Sequence, residues 1–504
     1  MKRFLHSGII SFIIILAVQV CVFVSLTLWL NEYSKYIIEV LYMLGAVLVI
    51  YEINRPSEPS FKYAWIVIIT VLPIFGGLFY IYTHLNVITK TISNRTNAIL
   101  GETNKYLVQD DFVLDELKDE KELLGFSNYM YKYAGYPTYK NTEVEYFPLG
   151  EDKFEKMKEE LEKAEKFIFL EYFIVDVKSQ MWLEILDILK RKASNGVEIR
   201  FIHDAMGSLT MFPAKYCDEL KAMGIKCKIF KRVTPLLSTY QNNRDHRKIL
   251  VIDGHTAFTG GINIADEYIN RDTRFGHWKD TAVMVKGDGA MSFALMFLQM
   301  WNLDEKGKEC YDNYIVKCSK DAKGYVIPYS DSPIDKEFVG ERVYLDIINN
   351  ATKYLHIMTP YLVISYEMQE ALEYAAKRGV DVRIIMPHIP DKPYALWLAR
   401  SYYPKLITSG VKIFEYDDGF VHAKVTTCDN IKAVVGTVNY DYRSLYLNYE
   451  CGLFMYKVPT VLTIEKDYKN TENKCTEVSL EAYKQFNVFG RIFGKCIRLF
   501  APLI

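Results

Sequence analysis

HRKILVIDGHTAFTGGIN runs from His246 to Asn263, and HAKVTTCDNIKAVVGTVN runs from His422 to Asn439. In both stretches the His is followed by Lys after two positions, Asp after seven and Asn after seventeen. A lone His-x-Lys is common by chance. Two copies that match at His, Lys, Asp, Gly and Asn without a gap indicate a duplicated catalytic half-site. We call the two stretches the first and the second motif.

Each motif continues into a short apolar run that is typical of a β-strand entering a protein core. The runs are KILVID at 248–253 and KVTTCD at 424–429. Side chains alternate along a strand, so the His and the Lys of a motif share one face. The Asp lies an odd number of positions from the Lys, so we expect it to face the other way and to support a turn or the partner unit. The predicted catalytic set is His246, Lys248, Asp253, His422, Lys424 and Asp429.

An imidazole beside an ammonium group suits phosphodiester exchange. Neutral imidazole attacks phosphorus, and imidazolium donates a proton near neutral pH. Two His residues that face each other across one phosphate divide these roles, while two Lys residues stabilise the charge that grows in the transition state. The Lys of each motif would repel a divalent cation, so we predict no metal and no other cofactor. The alternative is a structural duplication whose His residues belong to an ordinary core.

Polar residues near the motifs are candidates for holding phosphate or for supporting the His residues. The amides of Asn263 and Asn439 can donate further hydrogen bonds. Glu450 and Asp280 each begin a strand after a motif, so either is a candidate to orient a His through its second nitrogen. A surface salt bridge is the alternative role for both carboxylates. The predicted supporting set is Asn263, Asn439, Gly261, Thr437 and Glu450.

Two units of the chain repeat one order of helices and strands, and each unit ends in a motif. The first unit has, in order, a helix, a strand, a helix and a strand at 154–166, 167–175, 181–197 and 198–204. The second unit has the same elements at 341–353, 354–363, 368–380 and 381–387. Gly196 and Gly379 are predicted to end the second helix of each unit. Helices alternating with apolar, β-rich strands predict an α/β fold with both sheet faces covered.

Length and composition restrict the class of protein. A chain of 504 residues is too long for a single core and predicts two or three domains. The formal net charge of −1 gives no general attraction to polyanions, so we expect no nucleic-acid partner. The nine Cys residues form no CxxC pair, which argues against a disulfide framework and favours reduced thiols in the cytosol.

The amino-terminal ninety residues are predicted to be a membrane module. Residues 8–30 carry no charge and are long enough to cross a bilayer, and residues 64–85 form a second apolar run. Residues 37–53 are a third span or a helix packed on the other two. The basic start favours a cytoplasmic amino terminus. Two spans then place the rest of the chain in the cytoplasm and three place it outside. We favour the cytoplasm because the cysteines look reduced.

The two motifs resemble those of the phospholipase D superfamily, in which HxKxxxxD is followed by G-[GST]-x-N. Further phrases are similar to those of the bacterial cardiolipin synthases. They are DHRKILVIDGHTAFTGGINIADEY, TPYL, VHAKVTTCDNIKAVVGTVNYDYRSLYLNYE and the ending RIFGKCIRLFAPLI. Thr437 replaces the commoner Ser of the second motif and keeps its hydroxyl. The resemblance covers nearly the whole chain.

The resemblance implies two α-β-α sandwich units in a pseudo-twofold pair, with one active site at their interface. It also implies that phosphatidylglycerol is converted to cardiolipin and glycerol in the bacterial membrane. His246 would form a phosphatidyl-histidine, and His422 would protonate the leaving glycerol and then deprotonate the acceptor. Lys248 and Lys424 would hold the phosphate. A hydrolytic phospholipase D and a phosphatidylserine synthase are the alternatives within the superfamily, because the motifs do not specify the acceptor.

These observations predict four segments. A transmembrane module at 1–90 is followed by a charged, helical linker at 91–140. The first phospholipase D-like unit spans 141–315, and the second spans 316–504. The last eighteen residues place apolar side chains at helical spacing with basic residues elsewhere. We expect this segment either to lie on anionic lipid or to dock onto the catalytic core.

Overall fold

A computed structural model of the chain describes residues 33–84, 87–213, 215–231, 242–305, 307, 309–335 and 337–503. The described residues fall into two compact units. The smaller unit contains 33–84, 87–90, 242 and 496–503, and the larger unit contains the other described residues between 91 and 495.

The smaller unit contains three apolar helices. They are α1 Tyr33–Asn54, α2 Pro59–Val71 and α3 Pro73–His84. Trp65, Ile69 and Tyr80 form a small core, and the Tyr80 hydroxyl donates a hydrogen bond to the buried Glu52. The predicted span at 37–53 lies within α1, whereas the one at 8–30 lies outside the described residues.

The predicted span at 64–85 is wrong as a single helix, because α2 ends at Val71 and α3 begins at Pro73. Proline lacks an N–H group and disfavours helical backbone in the residue before it, which here is Leu72. The apolar pattern hid this break because the residues on both sides are equally hydrophobic. Across the part of the chain that the structure describes, no helix combines the length and the hydrophobicity needed to cross a bilayer.

Fourteen further α-helices follow in the described residues. They are α4 Val87–Thr103, α5 Asp111–Glu116, α6 Lys121–Lys132, α7 Gly150–Leu161, α8 Gln180–Ser194, α9 Tyr216–Ala222, α10 Ala290–Trp301, α11 Val339–Asn350, α12 Tyr366–Lys377, α13 Pro393–Arg400, α14 Tyr403–Thr408, α15 Thr460–Glu472, α16 Leu480–Gln485 and α17 Val488–Arg498. Helices α4 to α6 make the charged segment at 91–140 largely helical, as predicted.

The described strands form two large sheets and two small strand pairs. They are β1 Thr142–Phe147, β2 Phe167–Tyr172, β3 Glu198–Asp204, β4 Ile225–Phe230, β5 Ile249–Ile252, β6 Thr256–Gly260, β7 His277–Lys279, β8 Ala282–Gly287, β9 Tyr325–Asp331, β10 Tyr354–Met358, β11 Leu362–Val363, β12 Asp381–Pro387, β13 Lys412–Tyr416, β14 Gly419–Val421, β15 Val425–Cys428, β16 Lys432–Gly436, β17 Tyr440–Asp441, β18 Glu450–Tyr456 and β19 Cys475–Glu477.

The sheet topology confirms the internal duplication. The first sheet has the order β1-β8-β6-β5-β2-β3-β4, and the second has β9-β18-β16-β15-β10-β12-β13 with β19 added at the edge. Each sheet contains three neighbouring strands that run parallel, β2-β3-β4 in the first sheet and β10-β12-β13 in the second. All other neighbouring strands of the two sheets are antiparallel. The chain therefore contains two mixed α/β sheets of matching topology.

Helices cover both faces of the first sheet. Ile168 and Leu170 of β2 point into a core with Phe154 of α7 and Trp182 of α8. The alternate residue Phe169 stacks on Phe297 of α10, with ring centroids 4.5 Å apart. In the second half the equivalent ring of His356 stacks on Tyr468 of α15, at 4.6 Å. Both central strands are thus buried on two sides, as the continuous apolar runs predict.

Local signals bound two of the helices, and the two glycines predicted to end them are confirmed. Ser179 and Ser365 cap α8 and α12, each accepting a hydrogen bond from a backbone amide three residues later. Gly196 and Gly379 follow the ends of the same helices with φ of 87° and 96°, a left-handed conformation that glycine adopts without steric cost. These signals are local, which explains why the sequence alone locates them.

The expectation of reduced thiols is wrong for one pair of cysteines. Cys217 on α9 and Cys227 on β4 are joined by a disulfide, with Cα atoms 5.4 Å apart. The tight turn at Gly224 folds the strand back along the helix, so a spacing of ten residues suffices without a CxxC pattern. Cys428, which lies inside the second motif, is buried.

Candidate active site

Each motif histidine lies just before a central strand and is fixed by the backbone of the other half. The His246 amide, before β5, donates to the carbonyl of Tyr449 at 3.0 Å. The His422 amide, before β15, donates to the carbonyl of Lys279 at 2.7 Å. Strand β14, which leads into the second motif, also pairs in parallel with β7 of the first half. The two halves therefore share main-chain hydrogen bonds at both motifs.

The carboxylates that follow these two carbonyls bind the imidazoles. His246 Nδ1 lies 2.9 Å from both oxygens of Glu450, and His422 Nδ1 lies 2.6 Å from Asp280 Oδ2. Each histidine is therefore paired with a carboxylate of the opposite half. A carboxylate only accepts hydrogen bonds, so the proton of each neutral imidazole sits on Nδ1. The lone pair of Nε2 then remains for a ligand.

The two lysines are held beside the imidazoles, as strand alternation predicts. Lys248 Nζ donates to the carbonyl of His246 at 2.6 Å, and Lys424 Nζ donates to the carbonyl of His422. Both lysine side chains are buried. Lys248 and Lys424 each act electrostatically on both imidazoles, which places all four side chains in one site.

Burial dominates the protonation of the imidazoles. It lowers the pKa of His246 to about 4 although the Glu450 carboxylate opposes this change. Burial and the adjacent Lys424 lower the pKa of His422 to about 3, against the influence of Asp280. Both imidazoles are therefore neutral at pH 7 in the free site.

The lysines titrate near neutral pH for the same reason. Burial lowers the pKa of Lys248 to about 8, and burial together with Lys248 lowers that of Lys424 to about 7. Asp280 and Glu450 oppose the effect at both lysines. Two cations in a dry pocket favour a bound anion, which would restore their charge.

The residue after the shared glycine differs between the two motifs because the two carboxylates differ in length. A Cβ atom on Gly261 would lie only 2.0 Å from Asp280 Oδ1, so this position must be glycine for the shorter carboxylate to approach. In the second motif Thr437 occupies the position, and its hydroxyl donates to Oε2 of the longer Glu450. Burial alone would raise the pKa of Glu450, but His246, Lys248 and this hydroxyl hold it below its usual value.

The two motif asparagines have different surroundings. Asn263 Oδ1 accepts the Ile174 amide at 3.1 Å, and its Nδ2 donates to the Tyr268 hydroxyl at 2.9 Å. This amide therefore joins the motif to the chain after β2. Asn439 forms a side-chain hydrogen bond with Asp441. Its buried Oδ1 has no hydrogen-bond partner among the residues that the structure describes.

Aromatic rings surround both imidazoles. Phe173 meets His246 edge-on with centroids 5.0 Å apart. Tyr268 and Trp278 lie against His422 at 5.6 and 5.3 Å. These rings exclude water from the imidazoles and so account for part of the low pKa values.

The motif aspartates lie at the far ends of the two central strands. Asp253 accepts hydrogen bonds from the backbone amides of residues 165–167, and Asp429 accepts them from residues 352–354. At the usual rise per residue, about 16 Å of strand separates Asp253 from Lys248. The structure thus does not bring the aspartates to the imidazoles. It gives them the supporting position that alternation predicts, which corrects their inclusion in the catalytic set.

Asp280 binds a motif histidine, but the predicted set omitted it. The signal was present, since Asp280 and Glu450 each begin the segment after a motif. Each carboxylate follows the motif of its own half but binds the histidine of the other half. The sequence alone does not reveal this exchange of partners. Only the packing of the two sheets produces this pairing.

One cluster of metal-ligand residue types lies elsewhere among the described residues, but its two thiols are joined in a disulfide. His203, Cys217 and Cys227 place their ligand atoms within 4.8 Å of one another, and the two sulfurs are the disulfide pair. Within the same residues the two motif histidines belong to no such group. Besides its carboxylate, each histidine has the two motif lysines nearby, and two ammonium groups favour an anion.

Comparison with protein families gives two matches. The family described as cardiolipin synthase, phospholipase D-like domain, matches residues 157–290 and 344–471. The family described as the phospholipase D-nuclease amino-terminal segment matches residues 40–82. The first of these matches falls on both halves and includes both motifs.

Several curated proteins are similar over most of the chain. Cardiolipin synthase 2 of Bacillus anthracis is 32% identical, covering 92% of this chain and 90% of its own length. A cardiolipin synthase of Clostridium perfringens is 34% identical, with 89% and 95% covered. An uncharacterized protein of Streptococcus mutans is 48% identical, with 92% and 100% covered.

A solved structure shares the fold. The phosphatidylserine synthase of Haemophilus influenzae superposes with a TM-score of 0.55 at 18% identity. The superposition covers 72% of this chain and 95% of that protein. The likeness shows a phospholipase D-like α/β fold of two units, in agreement with the two matching sheets.

Proposed function

Because this chain belongs to the cardiolipin synthase family of phospholipase D-like proteins and is a phosphatidyltransferase, we propose that it transfers a phosphatidyl group between two phosphatidylglycerol molecules. The products are cardiolipin and glycerol. The observation that carries this proposal is the crossed arrangement of His246 with Glu450 and of His422 with Asp280. It supports one site with two imidazoles and two ammonium groups, which is what a two-step phosphodiester exchange requires.

In the first step His246 Nε2 attacks the phosphorus of one phosphatidylglycerol. A P–N bond forms as the P–O bond to the headgroup glycerol breaks. Glu450 holds the Nδ1 proton and stabilises the positive charge that develops on this ring. His422 gives a proton to the departing oxygen, so glycerol leaves as a neutral alcohol.

In the second step the headgroup hydroxyl of another phosphatidylglycerol attacks the phosphatidyl-histidine. His422 takes the hydroxyl proton as the new P–O bond forms, and the P–N bond to His246 breaks. Both histidines return to their starting states, so the exchange is reversible. The symmetric geometry makes the opposite assignment of the two histidines the alternative, and the site of the covalent adduct distinguishes them.

The electrostatics of the free site explain how substrate prepares it. The pKa of His422, about 3, is too low for a proton donor at neutral pH. A phosphodiester anion between the two lysines would raise the pKa of each imidazole and of each ammonium group. We infer that the negative charge of the bound substrate raises the pKa of His422 enough for this residue to carry a proton at neutral pH. No metal or cofactor enters this scheme, and we expect activity to be insensitive to chelators.

The substrate class places the enzyme at a membrane. Phosphatidylglycerol and cardiolipin remain in the bilayer, so association with the bacterial membrane raises the effective substrate concentration. We propose that the region before residue 90 provides this association and that the catalytic halves face the cytoplasm. The basic start of the chain supports this side, whereas the disulfide between Cys217 and Cys227 removes the support from reduced thiols. We also propose that the first half spans 141–315 and the second 316–504. A reporter fused after Lys105 tests the sidedness: activity of an exterior-only reporter would refute it.

Membranes that contain the purified protein and labelled phosphatidylglycerol test the reaction. We expect glycerol release in equal amount to cardiolipin formation. Phosphatidic acid as the main product would instead identify a hydrolytic phospholipase D. A transfer to added serine in preference to phosphatidylglycerol would identify a phosphatidylserine synthase. Quenching during turnover with denaturant at mildly alkaline pH, where the P–N bond is stable, should preserve a phosphoramidate on His246, located by mass spectrometry of the peptides.

A further inference from the structure

Helix α17 attaches to the larger unit by its glycine face. Cβ atoms on Gly490 and Gly494 would lie 2.9 Å and 2.2 Å from atoms of Trp397, so both positions must lack a side chain. Phe489 and Phe493 flank the same indole ring at 6.1 and 5.8 Å. The helix is therefore held at a fixed rotation, with its two glycines and one side of its two phenylalanine rings against Trp397.

The outward face of α17 is apolar and exposed. Phe489 is 66% exposed and Ile492 is 59% exposed, and Phe493 and Cys496 are exposed as well. These four residues follow the spacing i, i+3, i+4 and i+7 of one helix face. We call them the apolar face of α17. A continuous set of large exposed apolar side chains on one face is typical of an interaction surface.

Basic residues accompany this face along one side. Arg491, Lys495 and Arg498 lie on α17, and Lys495 is exposed. No acidic residue occurs between 486 and 504. The helix therefore combines an apolar face with positive charge and no compensating carboxylate of its own.

We propose that the apolar face of α17 inserts into the interface of an anionic phospholipid bilayer and docks the larger unit on the membrane that holds its substrate. This inference rests on the proposed function for the identity of the lipid. An amphipathic helix with aromatic and aliphatic residues on one face and basic residues beside it is the arrangement that binds anionic lipid interfaces. The glycine face bound to Trp397 transmits this anchoring to the catalytic unit.

Charge distinguishes a lipid surface from a protein partner as the occupant. A protein surface that covered the apolar face would need carboxylates placed opposite three specific basic residues. The headgroups of phosphatidylglycerol supply negative charge at every position of the plane and require no such match. The face is also short, with four apolar side chains, which suits shallow insertion more than a stable protein interface.

Cys496 reports directly on the occupant because it belongs to the apolar face. The full chain is placed in nanodiscs of phosphatidylcholine alone or of phosphatidylcholine with phosphatidylglycerol. A water-soluble maleimide is added, and its reaction with each cysteine is followed by mass spectrometry. The exposed Cys310, outside α17, is the internal control. We expect Cys496 to react at least about tenfold more slowly in the anionic discs, since each basic residue near such a surface contributes about fivefold in binding.

A triple variant tests the part played by charge. Replacing Arg491, Lys495 and Arg498 together by Gln should remove the difference between the two kinds of disc. Equal reactivity of Cys496 in both discs for the wild-type chain would overturn the proposal. Equal protection in both would assign the face to another part of the chain or to a protein partner and would overturn it too.

Turnover separates this inference from the proposed function. Ile492→Asp should lower cardiolipin formation from phosphatidylglycerol in vesicles but leave turnover of a soluble short-chain phosphatidylglycerol unchanged. Leu462→Asp, at a leucine on α15 that is 56% exposed, is the matched control and should affect neither rate. Equal losses of Ile492→Asp on both substrates would contradict docking. If no substrate is turned over, the proposed function fails while the Cys496 measurement still stands.

Discussion

His246 and His422 are neutral in the free site although each faces a carboxylate. Burial outweighs the carboxylate in both cases and lowers the pKa to about 4 and about 3. The carboxylates therefore act mainly by orientation, because they fix the Nδ1 proton and turn Nε2 toward the substrate. At the scale of single residues, the direction of each ring matters as much as its charge.

Replacing Glu450 by Gln tests this orientation. The amide group of Gln donates as well as accepts, so it stabilises the tautomer with the proton on Nε2 and removes the nucleophile. We expect kcat/KM to fall by about 100- to 10,000-fold with little change in KM. The measurement is cardiolipin formation at saturating and limiting phosphatidylglycerol.

Two further variants accompany that measurement. Asp280→Asn should give a loss of similar size, because it makes the same contact with His422. Glu373→Gln alters a buried carboxylate on α12 that is bonded to Gln369 and should leave the rate near wild type. A full rate in Glu450→Gln would show that the carboxylate contact is structural only.

Both limbs of the pH profile of kcat/KM should lie at lower pH than the usual pKa values of histidine and lysine would give. His246 must be neutral to attack, so activity is lost only as the pH falls toward its pKa of about 4 and not near 6.5. The lysines must be charged, so activity falls as the pH rises through about 7 and about 8, well below 10.5.

A charge-retaining variant identifies the alkaline limb of this profile. Lys424→Arg keeps its proton across the whole range and should move that limb upward, at a reduced maximal rate because the fit changes. An acid limb near pH 6.5 in the wild-type enzyme would show that the imidazole is solvated when substrate arrives.

At the scale of elements, each motif strand ends in a carboxylate that binds the start of its neighbour. Asp253 accepts three backbone amides before and at β2, and Asp429 does the same before and at β10. Both aspartates have positive φ, at 51° and 56°. An Asp tolerates this backbone and satisfies three amides at once, so it fixes the register between the two central strands of each sheet.

Asp253→Ala should therefore lower the stability of the fold without lowering the catalytic rate of the folded protein. Three amides lose a charged acceptor, and we expect the free energy of unfolding to fall by roughly 3 kcal/mol or more. Thermal unfolding in detergent measures this change, and activity per folded molecule should stay near wild type. Asp253→Asn, which still tolerates positive φ, should be milder. A lost rate at an unchanged melting temperature would instead give Asp253 a direct part in the reaction.

The elements of the catalytic halves are largely predictable because their signals are local. Strands β3 and β12 have the predicted bounds, and the caps of α8 and α12 are readable from Ser and Gly. Strand β2 ends at Tyr172, three residues before the predicted end. The apolar run there continues into a loop that is buried by tertiary contacts, and hydrophobicity does not mark where strand pairing stops.

At the scale of the whole molecule, the two halves complete each other. Neither half contains its motif histidine together with the carboxylate that binds that histidine. In a single half the imidazole of the motif histidine would lack the carboxylate that orients it. The duplicated sheets therefore form one site and not two.

Complementation between chains tests this conclusion. His246→Ala and His422→Ala should each abolish turnover, because each removes one of two required proton or phosphoryl carriers. An equimolar mixture of the two variants, reconstituted together, should also be inactive, since both halves of a site lie in one chain. A mixture of wild type with His422→Ala controls for inhibition on mixing. Recovery of activity in the double mixture would show that the halves pair between chains.

The sequence by itself determined the duplication, the four side chains His246, Lys248, His422 and Lys424, and the α/β class. These features are encoded by spacing and by alternation along single strands, which need no knowledge of distant contacts. The tertiary structure alone decided which carboxylate serves which histidine, the disulfide between Cys217 and Cys227, and the low pKa values. Those depend on burial and on residues up to 204 positions apart, brought together only when the two sheets pack.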